Sequence, residues 1–252
     1  MGSFIGILCC VVMFLHYSIL NSFFYVVNKK YCYYVNRRAC ERLPRLIFAC
    51  LKCYARFQFQ ADYSIRKRLP EQFLIISNHQ SLFDIVAFFT YFGGDRLKFI
   101  AKKALGGHVP LVSVMLKTDG HCMIERKGSS MQVMKALDRF SEGVMQHNYL
   151  PLLFPEGTRS KTGALGTFHA AGFRRLSGNL KLPVVAFAVD GAWKISNLKK
   201  ILQNVHGGFY KIKGLKVYPA PEGKQEQVAI LEDAKTLIAE QLHEWRTQNT
   251  ER

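Results

Sequence analysis

The chain has 252 residues, 49% of them apolar, and a formal net charge of +17. That apolar fraction supports a sizeable core, which excludes a disordered chain and fits one domain with an appendage. The charge favours an anionic partner: a membrane surface, a nucleic acid or a phosphorylated substrate.

Residues 1–27 carry no charged side chain, whereas eleven basic and two acidic residues fall between Asn28 and Pro70, +9 of the +17. Residues 5–27, IGILCCVVMFLHYSILNSFFYVV, are long enough to cross a bilayer as one helix, with His16, Ser18, Asn21 and Ser22 interrupting the apolar run. No basic segment precedes it and no small-residue cleavage site follows, which argues against a removed signal peptide. The Lys/Arg excess behind it would hold the remaining chain on the cytoplasmic face. A helix hairpin buried in a soluble protein is the alternative. From Leu43 to Phe59, Leu43, Leu46, Ile47, Cys50, Leu51, Tyr54 and Phe57 recur at helical spacing, with Arg45, Lys52 and Arg56 opposite. That is the pattern of a helix lying at a lipid surface. Six of the seven cysteines precede residue 54, without the even spacing of a disulfide framework, and the lone Cys50-x-x-Cys53 has no second pair to make a metal site.

After Pro70 short strands and helices alternate. FLIIS reads as a strand, Leu82 to Phe92 as a helix, and Leu97 to Ala101 as a second strand; HCMIER follows as a third, then a helix from Ser129 to His147. YLPLLF leads into FPEGTRS at Phe154, and a helix from His169 to Asn179 precedes the apolar strand LPVVAFAV. GLKVYPA and a helix from Gln225 to Trp245 close the chain. This alternation predicts an α/β fold: a mixed, largely buried sheet flanked by helices. No glycine-rich phosphate loop occurs, and the basic residues do not alternate with aromatics as on an RNA-binding strand, so nucleic acid is not the expected partner.

FLIISNHQSLFDI places His79 five residues before Asp84. With this composition the spacing arises by chance about 0.2 times per chain, so alone it says little. Five helical steps turn the chain by roughly 500°, so the two side chains can meet only if the helix starts after His79. A strand ending at Ser77 and a helix starting near Ser81 would leave His79 in the turn at the sheet's carboxyl edge, where ligands bind in open α/β folds. A carboxylate on one imidazole nitrogen leaves the other free to take a proton. An ordinary structural histidine fits these residues as well.

FPEGTRS adds a second element at the same edge: Pro155 and Gly157 bracket Glu156, and the turn would present Glu156, Thr158 and Arg159. With both motifs in this order, residues 70–220 resemble the glycerolipid acyltransferase family, in its 1-acyl-sn-glycerol-3-phosphate (lysophosphatidate) acyltransferase branch. Asn78-His79-Gln80-Ser81-Leu82-Phe83-Asp84 matches that family's N-H-x-x-x-x-D block, and residues 154–160 its F-P-E-G-T-R-S block. Met123-Ile124-Glu125-Arg126 is similar to the arginine-bearing block between them, Leu182-Pro183-Val184-Val185 to the apolar strand after them, and Lys102 stands at the position of a family lysine. One departure is Phe168-His169-Ala170-Ala171-Gly172, with His169 where the family usually has lysine.

The resemblance implies membrane-associating helices at residues 1–62 and an acyltransferase domain at 63–252. It implies transfer of a fatty acyl group from acyl-CoA or acyl carrier protein, as co-substrate, to the sn-2 hydroxyl of a lysophospholipid acceptor, giving phosphatidic acid when that acceptor is lysophosphatidate. His79, oriented by Asp84, would be the general base. Neither Ser77 nor Ser81 is needed as a nucleophile, and neither metal nor cofactor is needed, because a thiolate is a good leaving group. Arg159, Arg126 and Lys102 would bind the acceptor's phosphate, Arg159 foremost because a guanidinium grips phosphate with two donors. Glu156 would orient the glycerol, with Gly157 and Thr158 lining the same site. His169 keeps open another lysophospholipid or an amino-acid-derived lyso-lipid as acceptor, and the basic, apolar N-terminal region a non-catalytic lipid-binding protein.

Overall fold

The computed structural model describes residues 2–107, 110–125 and 129–250. Seven strands form its sheet: β1 (Gln58–Asp62), β2 (Leu74–Ser77), β3 (Leu97–Lys102), β4 (Cys122–Ile124), β5 (Leu150–Leu153), β6 (Val184–Asp190) and β7 (Phe209–Tyr218). Their spatial order is β1-β7-β6-β2-β5-β3-β4. The five strands from β6 to β4 run parallel, β7 is antiparallel to β6, and β1 is parallel to β7. The α-helices are α1 (Gly2–Val27), α2 (Lys29–Ala55), α3 (Phe83–Phe92), α4 (Pro110–Thr118), α5 (Ser130–Gln146), α6 (Ala170–Leu180), α7 (Leu198–Asn204) and α8 (Lys224–Thr250). This is the mixed α/β sheet that the alternation predicts.

The central strands feed two cores. Leu74 and Ile76 of β2, with Val184, Ala186 and Ala188 of β6, face α5, α6 and α8. Ile75, with Val185, Phe187 and Val189, faces α2 and α3. Burial on both sides is why these strands read as unbroken apolar runs. Each buried valine, leucine, isoleucine or phenylalanine among them contributes about 1.5–3 kcal/mol, so a charge at Ile75 would be expected to unfold the sheet.

The helix expected to run to Phe59 ends at Ala55. Arg56 takes a left-handed φ of 55°, and the Phe57 N–H turns back to the Leu51 carbonyl at 3.1 Å. The chain then enters β1, in register with β7 from Gln58 opposite Phe209. The sheet therefore starts before the expected border at residue 62, with an edge strand whose Phe59 and Ala61 pack on the core while Gln58 stays exposed.

α1 and α2 are joined by Asn28 alone, whose Oδ1 accepts the N–H groups of Lys30 (3.0 Å) and Tyr31 (3.4 Å) and caps α2. α1 is long and apolar enough to cross a membrane. It buries Gly6, Ser18 and Asn21, while Phe4, Leu8, Val12, Leu15, Ile19 and Phe23 face out. Asn21 Nδ2 donates to the Leu111 carbonyl (3.4 Å), and Cys32 Sγ–H lies 3.0 Å from Asn21 Oδ1. A hairpin thus forms, but its first helix is not buried as the hairpin of a soluble protein would be. α2 seals one face of the sheet through Phe48, Leu51 and Ala55.

A polar seam lies between α2 and the sheet. Asn36 Nδ2 donates to Asp119 Oδ1 at 2.9 Å and to Thr118 Oγ1 at 2.8 Å. Burial pushes the Asp119 carboxyl up to about 6, and burial also holds the neighbouring Lys98 ammonium below its ordinary value.

Candidate active site

β2 ends at Ser77 and α3 begins at Phe83, so His79 stands in the connecting turn, as the helical-step argument requires. Its Nδ1 lies 2.7 Å from Asp84 Oδ2. The same oxygen accepts the N–H groups of Gln80 (2.6 Å) and Ser81 (2.8 Å), and Oδ1 accepts the Tyr210 hydroxyl (3.0 Å). Asp84 is fully buried, and its position in the first turn of α3 suits a carboxylate at a helix N-terminus. An acceptor so placed holds the proton on His79 Nδ1 and leaves Nε2 with the lone pair. The ring is fixed further by stacking on Phe154, centroids 4.0 Å apart and planes 11° from parallel.

Glu156 takes a different place from the one expected. It is 4% exposed, and its two oxygens are occupied by backbone donors, His79 N–H on Oε1 (2.7 Å) and Gly166 N–H on Oε2 (2.8 Å). Its carboxylate therefore braces the histidine turn from within, each oxygen engaged by a backbone N–H. Burial raises its pKa, against the lowering effect of those two donors. The close approach requires glycine: a Cβ on Gly166 would sit 2.7 Å from Oε2. Ser160 N–H also donates to the His79 carbonyl at 2.8 Å, so the two motif segments are tied together twice.

Gly157 turns the chain with φ 61°, leaving Thr158 and Arg159 exposed just beyond the brace. Lys102 is exposed at the carboxyl end of β3. Since β5 lies between β3 and β2, Lys102 stands about 10 Å to one side of His79's strand. Arg126 lies outside the described residues. His169 is exposed at the start of α6, its Cδ2 4.0 Å from where a Gly157 Cβ would be.

Three contributors had no assigned role in the sequence. Asn78 pairs with β6 like an extra strand residue, Nδ2 donating to the Val189 carbonyl (2.8 Å) and Oδ1 accepting Val189 N–H (2.9 Å). Phe154 supplies the stacking face. Tyr210 comes from β7, 126 residues away, and burial together with the Asp84 carboxylate keeps its phenol protonated, well above its ordinary value. Asn78 and Phe154 sit inside the two motifs and could have been found there; Tyr210 carries no local signal.

Fold and site together define an α/β protein with a carboxylate-oriented histidine at the carboxyl edge of a mixed sheet. The chain belongs to the Acyltransferase family, whose model matches residues 60–190, slightly more than half of it. Among curated proteins it is 31% identical over 129 residues to a 1-acyl-sn-glycerol-3-phosphate acyltransferase of Cocos nucifera, covering 50% of this chain and 41% of that protein. It is 30% identical over 128 residues to the Helicobacter pylori protein of the same name, covering 51% and 52%. The matched stretches thus span about half the length, or less, of these relatives. The crystal structure of the 1-acyl-sn-glycerophosphate (LPA) acyltransferase PlsC from Thermotoga maritima has the same fold, with a TM-score of 0.61 at 16% identity over 94% of this chain and 98% of that one.

Proposed function

We propose that the protein transfers an acyl group from acyl-CoA or acyl carrier protein to the sn-2 hydroxyl of lysophosphatidate, forming phosphatidic acid at a membrane. The observation that carries this reading is the His79 ring, fixed through Nδ1 on a carboxylate that accepts four donors and left basic at Nε2. Nε2 takes the hydroxyl proton as the oxygen attacks the thioester carbonyl. The tetrahedral intermediate collapses, the C–S bond breaks, and the thiolate leaves with the proton returned by the imidazolium. A positioned base is worth about 10²- to 10⁴-fold in such a step.

Asp84 holds the tautomer, Glu156 holds the turn, Arg159 binds the acceptor's phosphate beside Gly157 and Thr158, and Lys102 and Arg126 are further candidate cations for that phosphate. An apolar cavity of about 300 Å³, lined in part by Leu82 and Phe83 beside the site and by Leu43, Leu111 and Met115 towards the hairpin, is chemically suited to a fatty acyl chain. The outward apolar face of α1, with Lys29 and Lys30 directly after it, supports membrane attachment with the site on the cytoplasmic side.

The test is turnover of a panel of lyso-lipids by the purified full chain with oleoyl-CoA and with an acyl carrier protein thioester. Lysophosphatidate should be converted with at least one donor; no conversion would remove this reading. The exposed His169 beside Gly157 favours, as the second reading, the same reaction on another lysophospholipid, which the same panel reveals as a preferred acceptor.

A further inference from the structure

The FPEGTRS turn opens a loop that continues to Phe168, and two basic side chains from outside both motifs hold it from behind. Arg246, near the end of α8, donates through Nη2 to the Gly163 carbonyl at 2.8 Å. The same guanidinium grips Asp190 at the end of β6, Nη2 to Oδ1 at 2.9 Å and Nε to Oδ2 at 3.2 Å. Asp190 is 2% exposed, and its Oδ1 also accepts Gln80 Nε2 at 3.0 Å. Gln80 follows His79, and its N–H is one of the donors on Asp84. Lys200 Nζ donates to the Lys161 carbonyl at 3.0 Å and the Trp193 carbonyl at 3.1 Å, fastening the loop a second time. Gly163 itself, at φ 83°, rests on Trp193, whose indole Nε1 would lie 2.5 Å from a Cβ there.

We infer that Arg246 is a positioning residue: through Asp190 and Gln80 on one side and Gly163 on the other, it sets the FPEGTRS loop in register with the His79 turn. This rests on the reading above, in which that loop presents Arg159 to the acceptor's phosphate. The planar guanidinium presents Nε and Nη2 along one edge, so its bonds to both carboxylate oxygens and to the Gly163 carbonyl fix one geometry. An ammonium on the lysine stem has its charge at a single rotatable centre, so at this position it would keep the charge pairing with Asp190 and loosen the hold on Gly163. Arg246→Lys therefore separates a register role from simple charge balance.

The test compares the full-length parent with Arg246→Lys and Arg246→Ala by thermal melting, hydrogen exchange and steady-state kinetics with oleoyl-CoA and 1-oleoyl-lysophosphatidate. Arg246→Lys should melt within about 3 °C of the parent. Its amides at residues 158–168 should exchange about tenfold faster, with β6 and α3 unchanged. Its KM for lysophosphatidate should rise about tenfold while that for oleoyl-CoA stays within about twofold, and Arg246→Ala, if folded, should exceed it in both. Unchanged exchange in the loop of Arg246→Lys overturns the inference whatever the activity, as does an unchanged acceptor KM in an active protein. A parent inactive on lysophosphatidate, with faster loop exchange in Arg246→Lys, removes the functional reading and leaves the register role standing.

Discussion

α1 and β6 are both apolar segments, yet they bury different kinds of side chain. All seven residues of β6 are buried, with valine, alanine and phenylalanine directed into the two cores. α1 fully buries only a glycine, a serine and an asparagine among its described residues; Ile7, Met13, Phe14 and Tyr17 pack half-buried against the cores, and Phe4, Leu8, Val12, Leu15, Ile19 and Phe23 stay outside. The first pattern is what water demands. The second is the pattern of helices that associate in lipid, where small residues let backbones approach and polar side chains find partners across the interface. A Cβ on Gly6 would lie 2.8 Å from Tyr54 Cβ, so close approach is built into the hairpin. The proposed membrane attachment would account for this second pattern, and the site lies on the sheet, with an apolar cavity that reaches from it towards the hairpin.

The largest test of that division is His79→Ala. It should reduce acyl transfer by about 10²- to 10⁴-fold while vesicle flotation stays at the parental level. Turnover within tenfold of the parent would refute the assigned base. Next comes Leu15→Asp, at the middle of α1 and 51% exposed. A carboxylate there costs about 2.5–3.5 kcal/mol in a bilayer centre, so partition onto vesicles should fall roughly 100-fold with the domain's melting unchanged. Parental partition would show that this face does not meet lipid.

Asp119, at the seam between the two regions, gives a pH test. Its folded pKa is raised from 3.8 to about 6, so the folded protein binds this proton more tightly than the unfolded chain does. The stabilisation is full below 3.8 and is lost as pH rises through about 6, up to about 3 kcal/mol. In urea titrations at pH 4 and pH 7, Asp119→Asn should remove that part of the difference, and an unchanged difference would count against it. The smallest effect is expected from Tyr210→Phe, which strips one donor from Asp84. Urea unfolding should report a loss of about 1–3 kcal/mol, with activity lowered less than tenfold. A neutral result would mean that water replaces the phenol.

The sheet's centre was legible because β2, β3, β5 and β6 are apolar runs bounded by turn residues, and the His79 turn because the pair's spacing forces a helix to begin after it. β1 was hidden: QFQAD has little apolar content, lies at the sheet's edge, and follows a helical pattern that ran on to Phe59. α2 begins fourteen residues before the amphipathic stretch, in a basic, tyrosine-rich segment, and carries Pro44 inside it, which obscures a helix. Glu156 was found as a position but not as a brace, because spacing cannot show which backbone amides a carboxylate will meet. Tyr210 lay beyond reach for a similar reason: only the reversal of β7 against β6 brings it beneath Asp84.

The single residue between α1 and α2 has a mechanical consequence. With Asn28 as the whole connection and its cap bonds fixing the start of α2, the hairpin has no slack. A tilt or vertical shift of α1 would therefore be expected to pass to α2, whose Phe48 and Leu51 pack in the core beneath the sheet that carries His79. With α1 seated in a bilayer as proposed, the height of His79 Nε2 above the acyl chains would follow bilayer thickness, as the draught of a hull follows its load.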